Sequence, residues 1–154
     1  MLEEALRRLR QLPDPPWFIV RVLTLRGYAA LRQDDVLLAA RLFGESLERA
    51  RSQHLTMMLL GAIAGLAGVA LARGQAGRSA RLLGAVEATG ESVGMQRITW
   101  IHPDRIRIQT RAALPAAAFE QAWSAGRALP LEEAITEALV LADELKGTTP
   151  EPTA

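Results

Sequence analysis

The chain carries two histidines, His54 and His102, and no cysteine. A helical zinc site needs a second ligand three or four positions away, where side chains share a face. Neither histidine has one. His102 precedes Asp104 by two residues beside Pro103, where helix capping accounts for the carboxylate. No metal is therefore expected. Without thiols a nucleophile would be serine or threonine. Ser46, Ser52, Ser79, Ser92 and Ser124 sit in helical or turn contexts and lack a G-x-S-x-G elbow. The carboxylate pairs Asp34/Asp35, Glu132/Glu133 and Asp143/Glu144 are sequence neighbours, which diverge on a helix and cannot close on one substrate. Those near helix N-termini answer the helix dipole. Gly74-Gln75-Ala76-Gly77 is no phosphate loop, because the Lys-Ser/Thr that should follow is missing and no strand precedes it. Arg105, Arg107 and Arg111 form a small basic cluster, but the first two point apart, so nucleic-acid binding is not expected. Trp17, Trp100 and Trp123 read as packing residues. These patterns predict no catalysis and no cofactor.

The elements that would position these residues are all helical. Apolar residues are mainly alanine and leucine, with few aromatic or β-branched side chains, a composition that favours helix. Leu2–Leu12 places Leu2, Leu6 and Leu9 on one face. Pro13-Asp14-Pro15-Pro16 ends that helix, and a second runs from about Trp17 to Leu31. Asp34 or Asp35 caps a third, whose inner stripe is Val36, Ala40, Phe43, Leu47 and Ala50. After a break at Gln53 or His54, an uncharged helix runs to about Arg73. Helix five covers roughly Arg78–Glu91 and closes near Gly90 or Gly94. For Ser92–Trp100, helix, loop and extended chain all remain open. Pro103 starts helix six, Ala116–Ala125 is the seventh, and Leu131, Ile135, Ala138, Ala142 and Leu145 give the eighth its seam. One domain over residues 1–146 is expected, with a disordered tail over 147–154.

Leu55–Ala72 is long enough for a membrane span and contains Gly61-x-x-x-Gly65. It lacks aromatic flanks and lies between amphipathic helices, so a buried central helix is the reading, with no membrane partner. The lack of cysteine and of an apolar leader points to the cytoplasm. Charge is uneven along the chain. Residues 1–111 carry sixteen basic and ten acidic side chains, and residues 112–154 carry two and seven. The last helix is thereby suited to dock on its own body or on another chain.

Ala40-Arg41-Leu42-Phe43-Gly44 recurs as Ala80-Arg81-Leu82-Leu83-Gly84, each in the second helix of a pair after a matching turn. Gly27, Ala39 and Phe43 fall where tetratricopeptide (TPR) repeats place their small residues and second-helix aromatic. Ala30 occupies the usual tyrosine position, and the period is forty residues, not thirty-four. With Ala70-Leu71-Ala72-Arg73-Gly74 and Ala118–Trp123 followed by Gly126–Ala134, the chain resembles the C-terminal TPR-like region of bacterial MalT-like or LuxR-type signal-transduction ATPases and of some adenylate-cyclase-linked proteins.

The resemblance implies an all-α fold of about eight helices, with antiparallel hairpins stacked as a short right-handed superhelix. It implies a non-catalytic module of a transcriptional or signalling regulator, part of a longer chain, whose partner is a protein or another domain of that regulator. A structural homo-oligomerisation unit, such as a homodimer, is the alternative. Stacked hairpins leave a groove along their first helices. In the register of Gly27 this groove is lined by Arg21, Thr24 and Tyr28 and by Gly61, Ala64 and Gly68. The three glycines Gly61, Gly65 and Gly68 cost roughly 3 kcal/mol relative to alanine. They therefore require a closely packed neighbour, for which the C-terminal helix is the expected candidate.

Overall fold

The computed structural model describes residues 1–11, 17–94 and 103–147, and all regular structure among them is helical. Eight helices follow in order: α1 (Leu2–Arg10), α2 (Trp17–Arg32), α3 (Val36–Ser52), α4 (Thr56–Ala72), α5 (Ala76–Ser92), α6 (Pro103–Ala112), α7 (Ala116–Arg127) and α8 (Leu131–Lys146). The open stretch before Trp100 lies largely outside the described residues, as do Trp100, His102 and the tail beyond Gly147. Gly94, one of the two glycines expected to close α5, lies in the turn that follows it, while Gly90 is inside the helix; Gly126, expected in a turn, lies inside α7.

The forty-residue period resolves into helical units of twenty. α3, α4 and α5 each have 17 residues, and α7 begins forty positions after α5. The turns keep the same register. Asp34, His54, Gly74 and Gly94 all have positive φ, at 59°, 55°, 75° and 76°. At the first three turns the next residue donates its N–H back to the carbonyl five positions earlier: Asp35 to Ala30 at 2.9 Å, Leu55 to Ala50 at 2.9 Å, Gln75 to Ala70 at 2.8 Å. This Schellman closure satisfies carbonyls orphaned at the helix end. The closing residue is also the N-cap of the next helix, and at Asp35 the side chain accepts from the Leu38 N–H at 3.1 Å. Connections this short force consecutive helices to lie antiparallel and in contact.

α4 sits at the centre, touching α2, α3, α5, α6 and α8. Twelve of its 17 residues are buried, which explains a helix with no charged side chain. Gly65 and Gly68 do meet close neighbours, but not the expected one. A side chain at Gly65 would strike the ring of Phe43 on α3, which also fills the space at Gly27, 2.7 Å from where a Cβ would stand. Gly68 faces Leu31 and Ile106. The C-terminal helix instead crosses α3, α4 and α5, approaching Gly44 through Ala142. The reason is size: the fully buried Phe43 ring already occupies the hollow between Gly27 and Gly65. The backbones of α5 and α7 approach one another closely, with Gly84 against the Trp123 carbonyl and Gly126 against that of Arg81.

α8 docks on the chain's own body. Ala134, Ile135, Ala138, Leu141, Ala142 and Leu145 are buried. Around that seam Glu132 meets Arg51 at 3.1 Å, Glu137 meets Arg81 at 2.8 Å and Glu144 meets Arg78 at 2.8 Å. The acidic C-terminal segment and the basic body thus complement one another within one chain.

Two substitutions test this packing. Gly65→Ala should destabilise the fold by about 1–3 kcal/mol through overpacking, and Phe43→Leu in the same chain should recover part of that loss; denaturant midpoints of the two variants check it. His54→Gly should raise stability by about 0.5–1 kcal/mol, because a non-glycine residue in the left-handed region carries a steric cost. A lower melting temperature for His54→Gly would contradict that account of the turn.

Candidate interaction surface

Most of the expected groove residues lie inside the fold. Thr24 is buried, its hydroxyl 2.9 Å from the Val20 carbonyl and 2.7 Å from the Ser46 hydroxyl of α3. Gly61, Ala64 and Gly68 are buried in α4. Tyr28 is half-buried and donates its hydroxyl to the Gly61 carbonyl at 2.9 Å, with its ring edge-on to Phe43 at 4.9 Å. Burial pushes the Tyr28 pKa upward, so the group stays a neutral donor. Arg21 alone of the six is exposed. The structure brings Thr24, Tyr28 and the α4 residues to one region, but as helix contacts. The physical reason is that small residues on α4 let α2 and α6 close over it, through Tyr28, Leu31 and Ile106. No open groove remains at these positions.

The other chemistry-bearing residues are dispersed. Ser46 is bound to Thr24, and Ser79 pairs with Thr110 of α6 at 2.9 Å, with Thr110 donating to the Ile106 carbonyl at 2.7 Å. These two buried hydroxyl pairs join α2 to α3 and α5 to α6, and buried polar groups require such partners. The Ser79–Thr110 pair was not anticipated, because nothing in the local pattern at either residue points to the other. Among the described residues no buried side-chain polar atom lacks a partner and no three His, Asp or Glu side chains cluster as metal ligands. Arg107 pairs with Glu87 and Asp104, and Arg111 with Glu120, while Arg127 bridges Glu87 and Glu91. Trp123 stacks on Phe119 at 5.5 Å, as a packing residue should. His54 lies on the rim of a shallow hollow of about 460 Å³ with Glu48, Arg51, Ser52 and Glu132. A second hollow, about 520 Å³, lies between the start of α3 and the end of α8.

Glu45 is a partly buried carboxylate held by two arginines. Burial pushes its pKa up, but the guanidinium groups of Arg10, at 2.9 Å, and Arg49, at 3.1 Å, outweigh this and hold it below the ordinary value of 4.5. The pair to Arg10 fastens α1 onto α3, and Arg26 to Glu3 at 2.7 Å fastens it onto α2.

What the sequence did not single out is the outward side of α2. Ile19, Val20, Leu23, Thr24, Gly27 and Ala30 face inward and are buried. Phe18, Arg21, Leu25 and Arg32 are exposed along the opposite side, and so is Trp17, which was expected to be a packing residue but stands 51% exposed near the start of α2. A continuous apolar run from Trp17 to Leu25, broken only by Arg21 and Thr24, was the available signal, since a helix apolar on all sides is normally covered on all sides. Exposed apolar side chains also occur on the first helices of the other pairs, Met57 on α4 and Ile108 on α6.

The described residues define an all-α architecture of stacked helices in a repeating register, with an exposed apolar and basic helix face. No family model matches the chain, and neither a curated protein nor a solved structure matches it. No described helix is long and apolar enough to cross a membrane.

The electrostatics yield a prediction with a definite sign. A carboxyl whose folded pKa is depressed contributes stability above its unfolded value and loses that contribution as pH falls through the folded one. Stability should therefore decline as pH drops below 4.5, the ordinary value for Glu45. Glu45→Gln should flatten the decline, as read by thermal melts across pH 3–7; an unchanged slope would contradict the assignment.

Proposed function

We propose that the chain is a non-catalytic interaction module, a short right-handed TPR-like superhelix belonging to a longer bacterial transcriptional or signalling regulator in the cytoplasm. The reading is supported by the twenty-residue helical register, by the recurrence of Ala40–Gly44 at Ala80–Gly84, and by small residues at the helix crossings. One observation carries the binding role. The fold leaves no described buried side-chain nitrogen or oxygen unpaired, yet places Trp17, Phe18, Leu25, Met57 and Ile108 at the surface. These five, of nine exposed large apolar residues among those described, belong to the first helices of the pairs; Met1, Leu2, Val93 and Val140 lie elsewhere. Aromatic, Met and Arg side chains are enriched at protein interfaces, and contiguous exposed apolar surface marks binding sites on stable domains. The partner is a protein segment or another domain of the same regulator.

A two-hybrid screen against genomic fragments of the source organism tests this. It should return ATPase or DNA-binding domains of regulators, with the signal lost on Phe18→Glu. Recovery of the chain alone would replace this reading with homo-oligomerisation. Light scattering over a concentration series should give a constant mass near 16.7 kDa, and a mass rising to twice that would likewise favour self-association.

A further inference from the structure

We propose that α1 occupies a docking site for a partner helix, which displaces it. That partner carries an acid, a leucine and an arginine at the spacing of Glu3, Leu6 and Arg10. The inference rests on the interaction-module reading and says where the module takes its partner. α1 bridges α2 and α3. Its first turn pairs with α2, Glu3 lying 2.7 Å from Arg26. Its last residue pairs with α3, Arg10 donating to Glu45 through two hydrogen bonds of 3.0 and 2.9 Å. Leu6, between them, is fully buried. Arg26 and Glu45 stand two residues from Tyr28 and Phe43, which meet α4 at Gly61 and Gly65. Two residues turn a helix by about 200°, so α1 covers the side of the α2–α3 pair opposite α4. In a stack of hairpins, that side is where a neighbouring unit packs.

α1 covers that side lightly. Leu6 is its only buried residue, and Leu2, on the same face, is 42% exposed. α8, which also crosses the body, buries six. Nine residues are too few for a helix stable by itself. α1 is therefore helical only while seated, and its release is a local opening that leaves the central helices packed. The seat itself defines what replaces it. Arg26 offers a cation at one end and Glu45 an anion at the other, about 10 Å apart measured along α1. Helices favour acid in the first turn and base in the last, so a helix laid as α1 is satisfies both ends. One laid in reverse meets like charges twice. Glu45 keeps a cationic neighbour when α1 leaves, because Arg49 stands 3.1 Å away on the same helix. Phosphates, on lipid or nucleic acid, supply only one of the two charges, whereas an amphipathic helix supplies both and a leucine for the socket of Leu6.

The probe is a synthetic peptide of Leu2–Gln11, fluorescein-labelled and held helical by a side-chain link in place of Glu4 and Arg8, which lie toward solvent. Anisotropy titrations use the full chain, and circular dichroism melts verify that each variant folds. The unaltered chain should bind the peptide. Leu6→Ala loosens the resident helix and leaves the seat intact, so it should tighten binding at least about tenfold. Arg10→Ala should act in the same direction, and it serves in place of Leu6→Ala if that variant unfolds. Adding Arg26→Glu or Glu45→Arg to the loosened chain should weaken binding at least about tenfold. A peptide with Glu3→Arg and Arg10→Glu should not bind. No binding to either loosened chain, or binding indifferent to Arg26 and Glu45, would overturn the inference. A doubled mass for the unaltered chain that Glu45→Arg abolishes would overturn it too, giving the seat to α1 of a second copy. The peptide titrations are independent of the two-hybrid screen, so the inference can fail while the module reading stands.

Discussion

The fold depends on one steric fit, the ring of Phe43 seated between Gly27 of α2 and Gly65 of α4. A side chain at either glycine would strike the ring, so helix spacing here is set by an aromatic disc facing two bare backbones. Once α2, α3 and α4 are fixed at that distance, Tyr28 reaches the Gly61 carbonyl and Thr24 reaches Ser46. Leu31 and Ile106 then close over Gly68. Gly27, Gly65 and Gly68 carry an intrinsic cost as helical glycines, which the close packing they permit offsets.

The turns supply the second constraint. Helices of equal length stay in register only if each connection turns the chain in the same way, and the positive φ at 34, 54, 74 and 94 does this. Asp34 and His54 adopt it without being glycine, because the Schellman hydrogen bond that follows holds them there. The order of the hairpins places α4 at the centre and α8 across α3, α4 and α5. It leaves one side of α2 exposed, with Trp17, Phe18 and Leu25 at the surface.

Much of the architecture is legible in the sequence, for physical reasons that can be named. The repeat at Ala40 and Ala80 marks equivalent helices, and the uncharged run after His54 marks the buried one. The excess of acid after residue 111 anticipates ion pairs from α8 to Arg51, Arg78 and Arg81. The groove was not legible. Arg21, Thr24, Tyr28, Gly61, Ala64 and Gly68 follow correctly from the register, but register says which side of a helix a residue occupies, not how closely the next helix approaches. That distance is set by side-chain volume across the contact, by Phe43 and Leu31 against glycine, which periodicity in one helix does not contain. The role of Gly84 and Gly126 was missed for the same reason, since their close approach joins residues far apart in sequence.

Amide hydrogen exchange along the chain tests the central packing claim most directly. If α4 is the helix around which the others are assembled, the amides of Leu60–Ala70 exchange slowest, through global unfolding alone, while α1, held by Leu6 and two ion pairs, exchanges faster. Amides of α4 that exchange as readily as those of α1 would contradict the account.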